Sequence, residues 1–465
     1  MSIIRDGFQS ADLDVPVVPP TLNLDFANSQ KLDPRITFSR GSIGTFVNKN
    51  GLIETAPANQ PRFDYDPISG ECRGLLIEEQ RTNLVTNSTS VTFTGLTGLS
   101  TTTDGSLAPD GSNAIVYIPT TGATYHASNA DFCNINLDTV GIATGATYNV
   151  TFSMWIKDYN SSDLGIFFVT QADISGSSPT YASRIAKPKS ASWIGGGLGT
   201  GWTRNYEKIV PYSNGWYRFI QSYGYTRQTS YNRLVFYIQI FNNRNAQFYN
   251  GDGTSGIYIW GPQVEAGSVE TSYIPTSGST VTRSPDLARL QEPYFSQFFN
   301  KYEGSVFVNF SLDFFNDNGS LYNLNRSPTP FYIGDRSDAT YNGYGFSLGT
   351  AAPFNHRLTG QAFGQSQPTY LNPYYVNSVI KNGKICASWD KDNLKIAGDT
   401  FRSVSKNFHR NDQYTAGITT QVFNEITIGW GQIGGASNRY LTGTIKKLQF
   451  YPKSLNDAQM LYLTR

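Results

Sequence analysis

The stretch PRFDYDPISGECRGLLIEEQRTNL, residues 61–84, decides the fold of this chain. It begins with a turn sequence, DPISG at 66–70, and continues into a short apolar run, GLLI at 74–77. Turn residues followed by such a run are typical of a hairpin that leads into a buried strand. Similar short phrases stand upstream, at LDF 24–26, LDPRITFSR 32–40 and GLI 51–53. The N-terminal part therefore predicts short strands between tight turns.

Together these phrases closely resemble a leader that occurs in bacteriophage virion proteins, especially tail fibres and other appendages. Two later phrases, GIYIWGPQVEAG at 256–267 and TSYIPT at 271–276, extend the resemblance. It implies a non-enzymatic structural protein of a tailed bacteriophage virion, such as a tail fibre or appendage that adheres to a host-surface glycan. A head-decoration or fibre protein without a receptor role, or a glycan-binding lectin module, is the alternative. A glycan depolymerase is least favoured, because the sequence lacks the internal period of a β-helix.

The composition points to an all-β protein. The 465 residues include 29 Tyr, 29 Phe, 44 Gly and 22 Pro, and 15% of them are charged. Aromatic residues favour strands, and frequent Gly and Pro favour short strands joined by turns. The formal net charge of +1 creates no overall field that would attract nucleic acid or an anionic membrane. We therefore expect no nucleic-acid partner.

The N-terminus and the cysteines bear on the compartment. The first residues lack the basic start and continuous apolar core of a secretory signal peptide. No segment approaches the roughly 18 apolar residues of a membrane span, so we expect no membrane insertion. Cys72, Cys133 and Cys386 are far apart and fit no metal or disulfide framework. We expect buried free thiols in a protein that is assembled into a virion in the reducing cytoplasm of a bacterial host.

The chain divides into five segments. Residues 1–20 contain a Pro-Val run and predict an extended arm that anchors the protein to other virion proteins. Residues 21–86 are the leader, which we expect to pack on the first sandwich. Residues 87–276 resemble a carbohydrate-binding jelly roll, residues 277–290 predict a linker, and residues 291–465 resemble a laminin-G-like sandwich. The predicted fold is all-β, with two jelly-roll/concanavalin-like β-sandwiches in tandem and an extended N-terminal arm.

Periodicity supports strands in both sandwiches. The segment TYNVTFSMWIK at 147–157 alternates between two sets of side chains, which predicts a strand with one buried face. The segment SVFVNFSLDF at 305–314 alternates in the same way. After Pro452 the chain predicts a short helix, which Asn456 caps and for which Gln459 completes a capping box.

The sequence gives only weak signals for catalysis. Retaining glycosidases need two carboxylates about 5 Å apart. The nearest approach to such a pattern is Glu265-Ala-Gly-Ser-Val-Glu270, where Gly267 stands in the place of a helper aspartate. The three histidines are far apart in the sequence, and no nucleophile motif occurs. We therefore predict no catalytic residue and no cofactor-binding residue.

The charged clusters are interpreted as structural. Glu78, Glu79 and Arg81 predict a salt-bridge and backbone-capping cluster where the leader meets the first sandwich. Three aspartates of the last domain are candidate ligands for a structural calcium ion, as in many laminin-G-like domains, although their spacing fits no defined calcium loop. They are Asp313, Asp317 and Asp335. No metal site is predicted from this spacing.

Loop aromatics are the candidate ligand contacts. Tyr370, Tyr374 and Tyr375 lie in a Pro-broken loop, where flat rings and neutral polar groups suit a glycan. Trp193 and Trp202 flank a glycine-rich loop and offer similar chemistry. The competing interpretation places all these rings in cores or subunit interfaces. A homo-oligomer, with a trimer favoured as in many fibres, would raise the avidity of weak single contacts.

Overall fold

A computed structural model describes residues 18–93, 98–121, 124–126, 130–160, 164–173, 179–229, 231–241, 248–312, 328–334, 343–349, 357–362, 369–371, 382–390, 393–398, 401–407, 423–431 and 439–464. Strands and turns dominate these residues, and α-helix occurs among them at Phe26–Ser29 and Asp457–Thr464. The strands form antiparallel sheets that stack into two sandwiches. The predicted all-β class with two sandwiches is confirmed.

The strands are numbered in chain order. Those of the leader are β1 (Leu22–Asp25), β2 (Ile36–Ser39), β3 (Gly44–Val47), β4 (Ile53–Ala56), β5 (Phe63–Tyr65), β6 (Cys72–Ile77) and β7 (Arg81–Asn83). The next region contains β8 (Leu99–Thr102), β9 (Val116–Pro119), β10 (Thr124–His126), β11 (Ala130–Asn136), β12 (Thr147–Tyr159), β13 (Gly165–Asp173), β14 (Thr180–Lys187), β15 (Ser192–Ile194), β16 (Trp202–Pro211), β17 (Tyr217–Thr226), β18 (Arg233–Phe241), β19 (Phe248–Asn250) and β20 (Gly256–Ala266). The remaining strands are β21 (Val281–Arg283), β22 (Leu287–Gln291), β23 (Gly304–Leu312), β24 (Phe331–Gly334), β25 (Gly343–Gly349), β26 (Arg357–Ala362), β27 (Thr369–Leu371), β28 (Asn382–Trp389), β29 (Asn393–Gly398), β30 (Phe401–Asn407), β31 (Glu425–Ile428), β32 (Trp430–Gly431), β33 (Arg439–Tyr440) and β34 (Gly443–Tyr451).

The first sandwich stacks two sheets with the orders β16-β17-β12-β20-β7-β21 and β11-β18-β13-β14-β15. Its core contains the inward side chains of β12 predicted from the alternation, among them Val150, Phe152 and Met154. The opposite face of β12 is buried as well, because Trp155 packs there with Ile53 of the leader hairpin β3–β4. The prediction of a single buried face is therefore wrong for this strand, since the leader covers the other face.

The second sandwich is completed by the leader. One of its sheets has the order β30-β29-β28-β23-β34-β6-β5, with β1 also paired to β34, and the other begins with β2-β22-β31-β24. Leu24, Leu75 and Ile77 of the leader are buried in its core. The leader was expected to pack on the first sandwich, and part of it does: the hairpin β3–β4 covers β12, and β7 pairs with β20 and β21. The expectation missed the other leader strands, because β1, β5 and β6 fill an edge that the second sandwich leaves open.

The predicted linker at 277–290 also differs from the structure. Within it β21 pairs with β7, and β22 pairs with both β2 and β31. Arg283 and Asp286 are buried. This segment is part of both sandwiches rather than a free connector, because its polar side chains pair inside the molecule and its backbone completes two sheets.

Local predictions at the C-terminus hold. Asn456 accepts a hydrogen bond from the backbone N–H of Gln459 at 2.9 Å, and the Gln459 side chain accepts from the Asn456 N–H at 3.0 Å. This is the predicted capping box of the helix Asp457–Thr464.

The cysteines are free thiols; Cys72 and Cys386 are buried, and Cys133 is half-buried. Among the described residues, no helix has the length and apolar character needed to cross a bilayer.

Candidate functional site

An open cleft of about 830 Å³ lies at one end of the first sandwich. Three segments form it: the start of β14, the chain that leads into β16, and the connection between β17 and β18. The lining residues are Pro179, Thr180, Tyr181, Ser183, Gly197, Leu198, Gly199, Thr200, Gln228, Thr229 and Tyr231. A cleft of this volume is in the range of small-ligand sites.

Backbone hydrogen bonds hold the floor of the cleft against β14. The Ser183 N–H donates to the Gly197 carbonyl at 3.0 Å, and the Gly199 N–H donates to the Tyr181 carbonyl at 2.7 Å. Gly196 has φ +83°, and a Cβ at that position would lie 2.1 Å from the Ser183 carbonyl oxygen. Only glycine fits such a close approach. The glycine-rich loop therefore lies against β14 through these hydrogen bonds and an isolated bridge between Leu198 and Ala182, and it is not a phosphate loop.

An ion-pair cluster of Arg184, Arg204 and Glu207 lies behind the cleft and holds the same loop in place. Arg184 donates to the Gly195 carbonyl at 2.6 Å and to both carboxylate oxygens of Glu207 at 2.7 and 2.9 Å. Arg204 also contacts Glu207 at 2.8 Å. Bidentate arginine–carboxylate pairs have a fixed planar geometry. The loop at the floor of the cleft is thus held by charged side chains that lie outside the lining.

The lining itself combines exposed apolar surface with neutral polar groups. Tyr181 is 40% exposed and Leu198 is 44% exposed, although both are large apolar side chains. Hydroxyl and amide groups come from Thr180, Gln228 and Thr229, among others. None of the lining side chains is charged at neutral pH. The cleft can therefore offer flat apolar contact and hydrogen bonds to a neutral ligand.

A second tyrosine extends this surface across the sheet. Gln171 on β13 lies opposite Tyr181 on β14, and Tyr237 on β18 lies opposite Val169, one row further along the same face. Burial, followed by the neighbouring Tyr181 and Asp131, raises the pKa of Tyr237 to about 12. The Tyr237 phenol is thus a neutral hydrogen-bonding group at physiological pH.

The tyrosines predicted as glycan contacts stay predictions. Tyr370 lies on β27, and its side chain is outside the described part of the structure. Tyr374 and Tyr375 lie outside the described residues altogether, as do the calcium candidates Asp313, Asp317 and Asp335. Among the residues that are described, no group of three or more His, Cys, Asp or Glu side chains is placed to hold a metal ion.

The two tryptophans that flank the glycine-rich loop pack inward. The ring of Trp193 contacts Phe168 and Phe219 at centroid distances of 5.4 and 5.0 Å. Trp202 is buried and contacts Tyr225 at 4.7 Å. The interpretation that these rings belong to the core is confirmed. Tyr181 and Leu198 were not predicted from the sequence; the signal was an aromatic residue at the start of β14, where this strand contacts the glycine-rich segment.

The carboxylates of the glycosidase-like pattern are engaged in the interior. Glu265 accepts from the Thr271 N–H at 3.2 Å and from its hydroxyl at 2.5 Å. Glu270 accepts from Lys208 Nζ at 2.9 Å and from the Tyr206 hydroxyl. Burial raises the pKa of Glu265, whereas Lys208 and Tyr206 lower the pKa of Glu270 despite its burial. Neither group faces the cleft, and neither belongs to its lining.

The charged cluster at the end of the 61–84 stretch is structural, as predicted. Glu78 contacts Arg62 at 2.8 Å and accepts from the N–H and hydroxyl of Ser272 at 2.6 and 2.7 Å. Glu79 pairs with Arg81. Glu78 belongs to a larger buried group, which we call the ionic seam: Arg40, Arg62, Glu78, Arg283 and Asp286. Each of its side chains is at most 3% exposed.

Neither a protein-family model nor a curated protein matches the sequence. Among solved structures, similarity is found to the Ruminococcus gnavus IT-sialidase CBM40 bound to α2,3-sialyllactose, with 11% identity, 36% of this chain, 85% of that chain and a TM-score of 0.28. Domain 4 of AbnA, a GH43 extracellular arabinanase from Geobacillus stearothermophilus in complex with arabinotriose, is also similar. It has 14% sequence identity, the match covers 42% of this chain and 82% of that chain, and the TM-score is 0.27. Domains LG4-5 of the mouse laminin α1 chain have 12% sequence identity, with 70% of this chain and 87% of that chain covered and a TM-score of 0.24. At such low identity and TM-score these likenesses concern the β-sandwich fold and assign no ligand to this chain.

Proposed function

We propose that the first sandwich binds a neutral glycan in the open cleft. The observation that carries this proposal is the lining: two exposed apolar side chains, Tyr181 and Leu198, surrounded by hydroxyl and amide groups without a charged side chain. Sugar rings present apolar faces and hydroxyl edges, and a site for them needs both kinds of contact. An anionic ligand would find no cation in this lining.

Binding at a single cleft is expected to be weak. The cleft is open to solvent, so a ligand keeps much of its own hydration and loses little surface to the protein. Several copies of the chain in one assembly would raise the apparent affinity through effective concentration. A trimer, as proposed for many fibres, would provide three such clefts.

We propose a non-enzymatic role for this binding. Glycoside hydrolysis needs two carboxyl groups on either side of the scissile bond. In the described residues the cleft lining contains no carboxylate, and Glu207 behind it is held by two arginines. The cleft can hold a sugar, but it offers no acid and no base.

The leader phrases supply the biological setting of the proposal. On their resemblance we propose that this chain is a component of a tailed-bacteriophage virion, a tail fibre or appendage that adheres to host-surface glycan. Residues 1–20 would attach it to other virion proteins; residues 1–17 lie outside the described part of the structure. A decoration protein without receptor contact is the alternative. Mass spectrometry of purified particles tests the setting, and deletion of Met1–Val18 tests the arm.

The binding proposal is tested with the purified full-length chain on a panel of neutral and anionic polysaccharides. We expect retention by at least one neutral polysaccharide, and a loss of affinity of about tenfold in Tyr181→Ala, equivalent to about 1.4 kcal/mol. Tyr294→Ala is the matched control, because Tyr294 is 42% exposed but lies outside the lining.

Two outcomes would reject the cleft as the site. One is retention of neutral polysaccharide that Tyr181→Ala leaves unchanged. The other is loss of retention in a Tyr370→Ala, Tyr374→Ala double variant while Tyr181→Ala binds normally, which would move the site to the last domain. Retention of anionic polysaccharides alone would contradict the neutral-ligand proposal.

A further inference from the structure

Tyr181 connects the cleft to the outer face of the sheet β11-β18-β13-β14-β15. Its neighbour on β14, Ala182, belongs to the core of the first sandwich, so Tyr181 points away from that core. Successive side chains of a strand point to opposite faces, and residues that are opposite one another on paired strands share a face. The residues in register with Tyr181 therefore continue the surface that begins in the cleft.

A row of neutral side chains crosses this face. Gln171 on β13 is opposite Tyr181. Val235 on β18 is opposite Gln171, and Asn134 on β11 is opposite Val235. Tyr181 and Asn134 are exposed, whereas Gln171 and Val235 are half-buried. Neighbouring strands lie about 4.8 Å apart, so the row across these four strands is about 14 Å long. We call it the transverse row.

Tyr237 adds a second aromatic ring beside the transverse row. It follows Val235 by two residues on β18, so it lies on the same face, and it is half-buried. Its hydroxyl lies 3.5 Å from Oε1 of Gln171. The row and Tyr237 thus combine apolar surface with two side-chain amides, and this chemistry resembles that of the cleft lining.

The charged residues beside the row favour a neutral occupant. Asp131 on β11 is exposed and lies opposite Tyr237. Partial burial raises the pKa of its carboxyl group, and no neighbouring cation in the described part of the chain lowers it. On the other side of the row, Arg233 stands opposite Asp173 in the register of β18 and β13. An anionic chain would thus be repelled at Asp131, whereas a neutral chain would not.

We propose that the transverse row binds a segment of a linear neutral glycan, several linked sugar units long, that begins in the cleft. This inference rests on the proposed function of the cleft and extends its ligand from a sugar to a chain. A single ring cannot span about 14 Å, so only linked units fill the whole row. The amides of Gln171 and Asn134 both donate and accept hydrogen bonds, as sugar hydroxyls require. Val235 and Tyr237 contact the apolar faces of the rings.

The test is calorimetric titration of the full-length protein with oligosaccharides of increasing length. The probes are fractions of one to eight units from partial hydrolysis of amylose, mannan and galactan, and of any other neutral polysaccharide that the protein retains. For the retained glycan we expect affinity to rise about tenfold between two and five units and then to level off, because each further unit meets another side chain of the row. Affinity that is already maximal at one or two units would overturn the inference.

Three variants separate the row from the cleft. Asn134→Ala changes the exposed far end of the row, so it should weaken binding of the longest oligosaccharides about fivefold and leave the short ones unchanged. Gln171→Ala should act in the same way from a shorter length onward. Tyr181→Ala should weaken binding at every length, because Tyr181 belongs to both the row and the cleft. Gln60→Ala is the matched control, since Gln60 is an exposed amide of the leader outside this sheet, and it should keep the whole length profile.

The inference and the proposed function can fail separately. If Tyr181→Ala weakens binding while Asn134→Ala and Gln171→Ala keep the wild-type affinity for long oligosaccharides, the cleft stands and the row is not part of the site. If Tyr181→Ala leaves every length unchanged, or if no oligosaccharide binds, the proposed function fails and the inference fails with it. Tighter binding of carboxymethylated than of neutral oligosaccharides of the same length also overturns the inference, because Asp131 should repel them. Should Gln171→Ala not fold, Asn134→Ala and the length profile of the wild-type protein decide.

Discussion

The open cleft and the ionic seam differ in where charged side chains are placed. The cleft is exposed to solvent, yet its lining is neutral. The seam is shut off from solvent, yet it consists of three arginines and two carboxylates. A chain in which only 15% of residues are charged has placed five of its charges where they are hardest to solvate. Such buried charges fix the position of segments, while the neutral surface is left for a ligand.

The seam explains how the two sandwiches keep one arrangement. Asp286, between β21 and β22, accepts from Arg40 at 3.1 Å, from Arg62 at 2.5 Å and from the Glu78 N–H at 2.9 Å. Three of these groups belong to the leader, and Asp286 belongs to the segment between the sandwiches. Because buried partners must meet in register, any other placement of the leader would leave unpaired charges inside the protein.

The largest expected effect is therefore from removal of Asp286. Asp286→Ala leaves three buried arginines with one remaining carboxylate, and loss of one partner of a buried ion pair costs about 3–5 kcal/mol of unfolding free energy. Urea unfolding measures this loss. Asp33→Ala is the matched control: the Asp33–Arg35 pair is partly exposed and should contribute less than about 1 kcal/mol. Equal small losses in both variants would refute the distinction.

Acid should weaken the seam before the cleft. Burial alone would raise the pKa of Glu78, but Arg283, Arg62 and Ser272 lower it from 4.5 to about 2. A lowered folded-state pKa stabilises the protein above the unfolded pKa, and this stability is lost as the pH falls from about 4.5 towards 2. The shift corresponds to about 3 kcal/mol as an order of magnitude. The unfolding free energies of wild type and Glu78→Gln, measured at several pH values, should converge in this window.

Glycan binding at the cleft serves as the contrast to this acid effect. Its lining contains no carboxylate and no histidine, so affinity should stay constant from pH 8 down to the pH at which the protein begins to unfold. A titration of affinity between pH 5 and 8, centred near the usual histidine or carboxylate values, would contradict the neutral lining.

A smaller effect is expected from the glycine that shapes the cleft. In Gly196→Ala the new methyl group would meet the Ser183 carbonyl oxygen at 2.1 Å in a backbone with φ +83°. The loop must move, and we expect a several-fold loss of glycan affinity with about 1–2 kcal/mol of lost stability. Gly278→Ala is the control, because Gly278 lies outside the cleft lining and has a similar φ of +87°, and its Cβ would meet nothing within 4 Å. Equal affinities of the two variants would show that the loop does not shape the site.

The sequence predicts the local features of the fold, but not the placement of the leader or the cleft. The alternation of 147–157 predicted the inward face of β12, and the pair Asn456 and Gln459 predicted a helix start, because both signals act within a few residues. The placement of the leader escaped prediction, since β1 pairs with β34, and the Thr21 hydroxyl meets the Phe450 carbonyl 429 positions away. The cleft escaped for the same reason: Tyr181, Leu198 and Tyr231 become neighbours only through tertiary pairing.

The smallest expected effect is that of salt on glycan binding. Ion pairs exposed to solvent weaken with ionic strength, because the screening length falls from about 10 Å at 0.1 M to about 3 Å at 1 M. The cleft lining has no charge to be screened, and the arginines behind it are engaged by Glu207. Affinity for a neutral polysaccharide should therefore change by less than about twofold between 0.05 and 0.5 M sodium chloride. Affinity that falls steeply over this range would mean that a charged surface, and not the cleft, carries the ligand. Tyr181→Ala measured at both salt concentrations separates the two, because it should remove the salt-independent part of binding and leave any salt-dependent part in place.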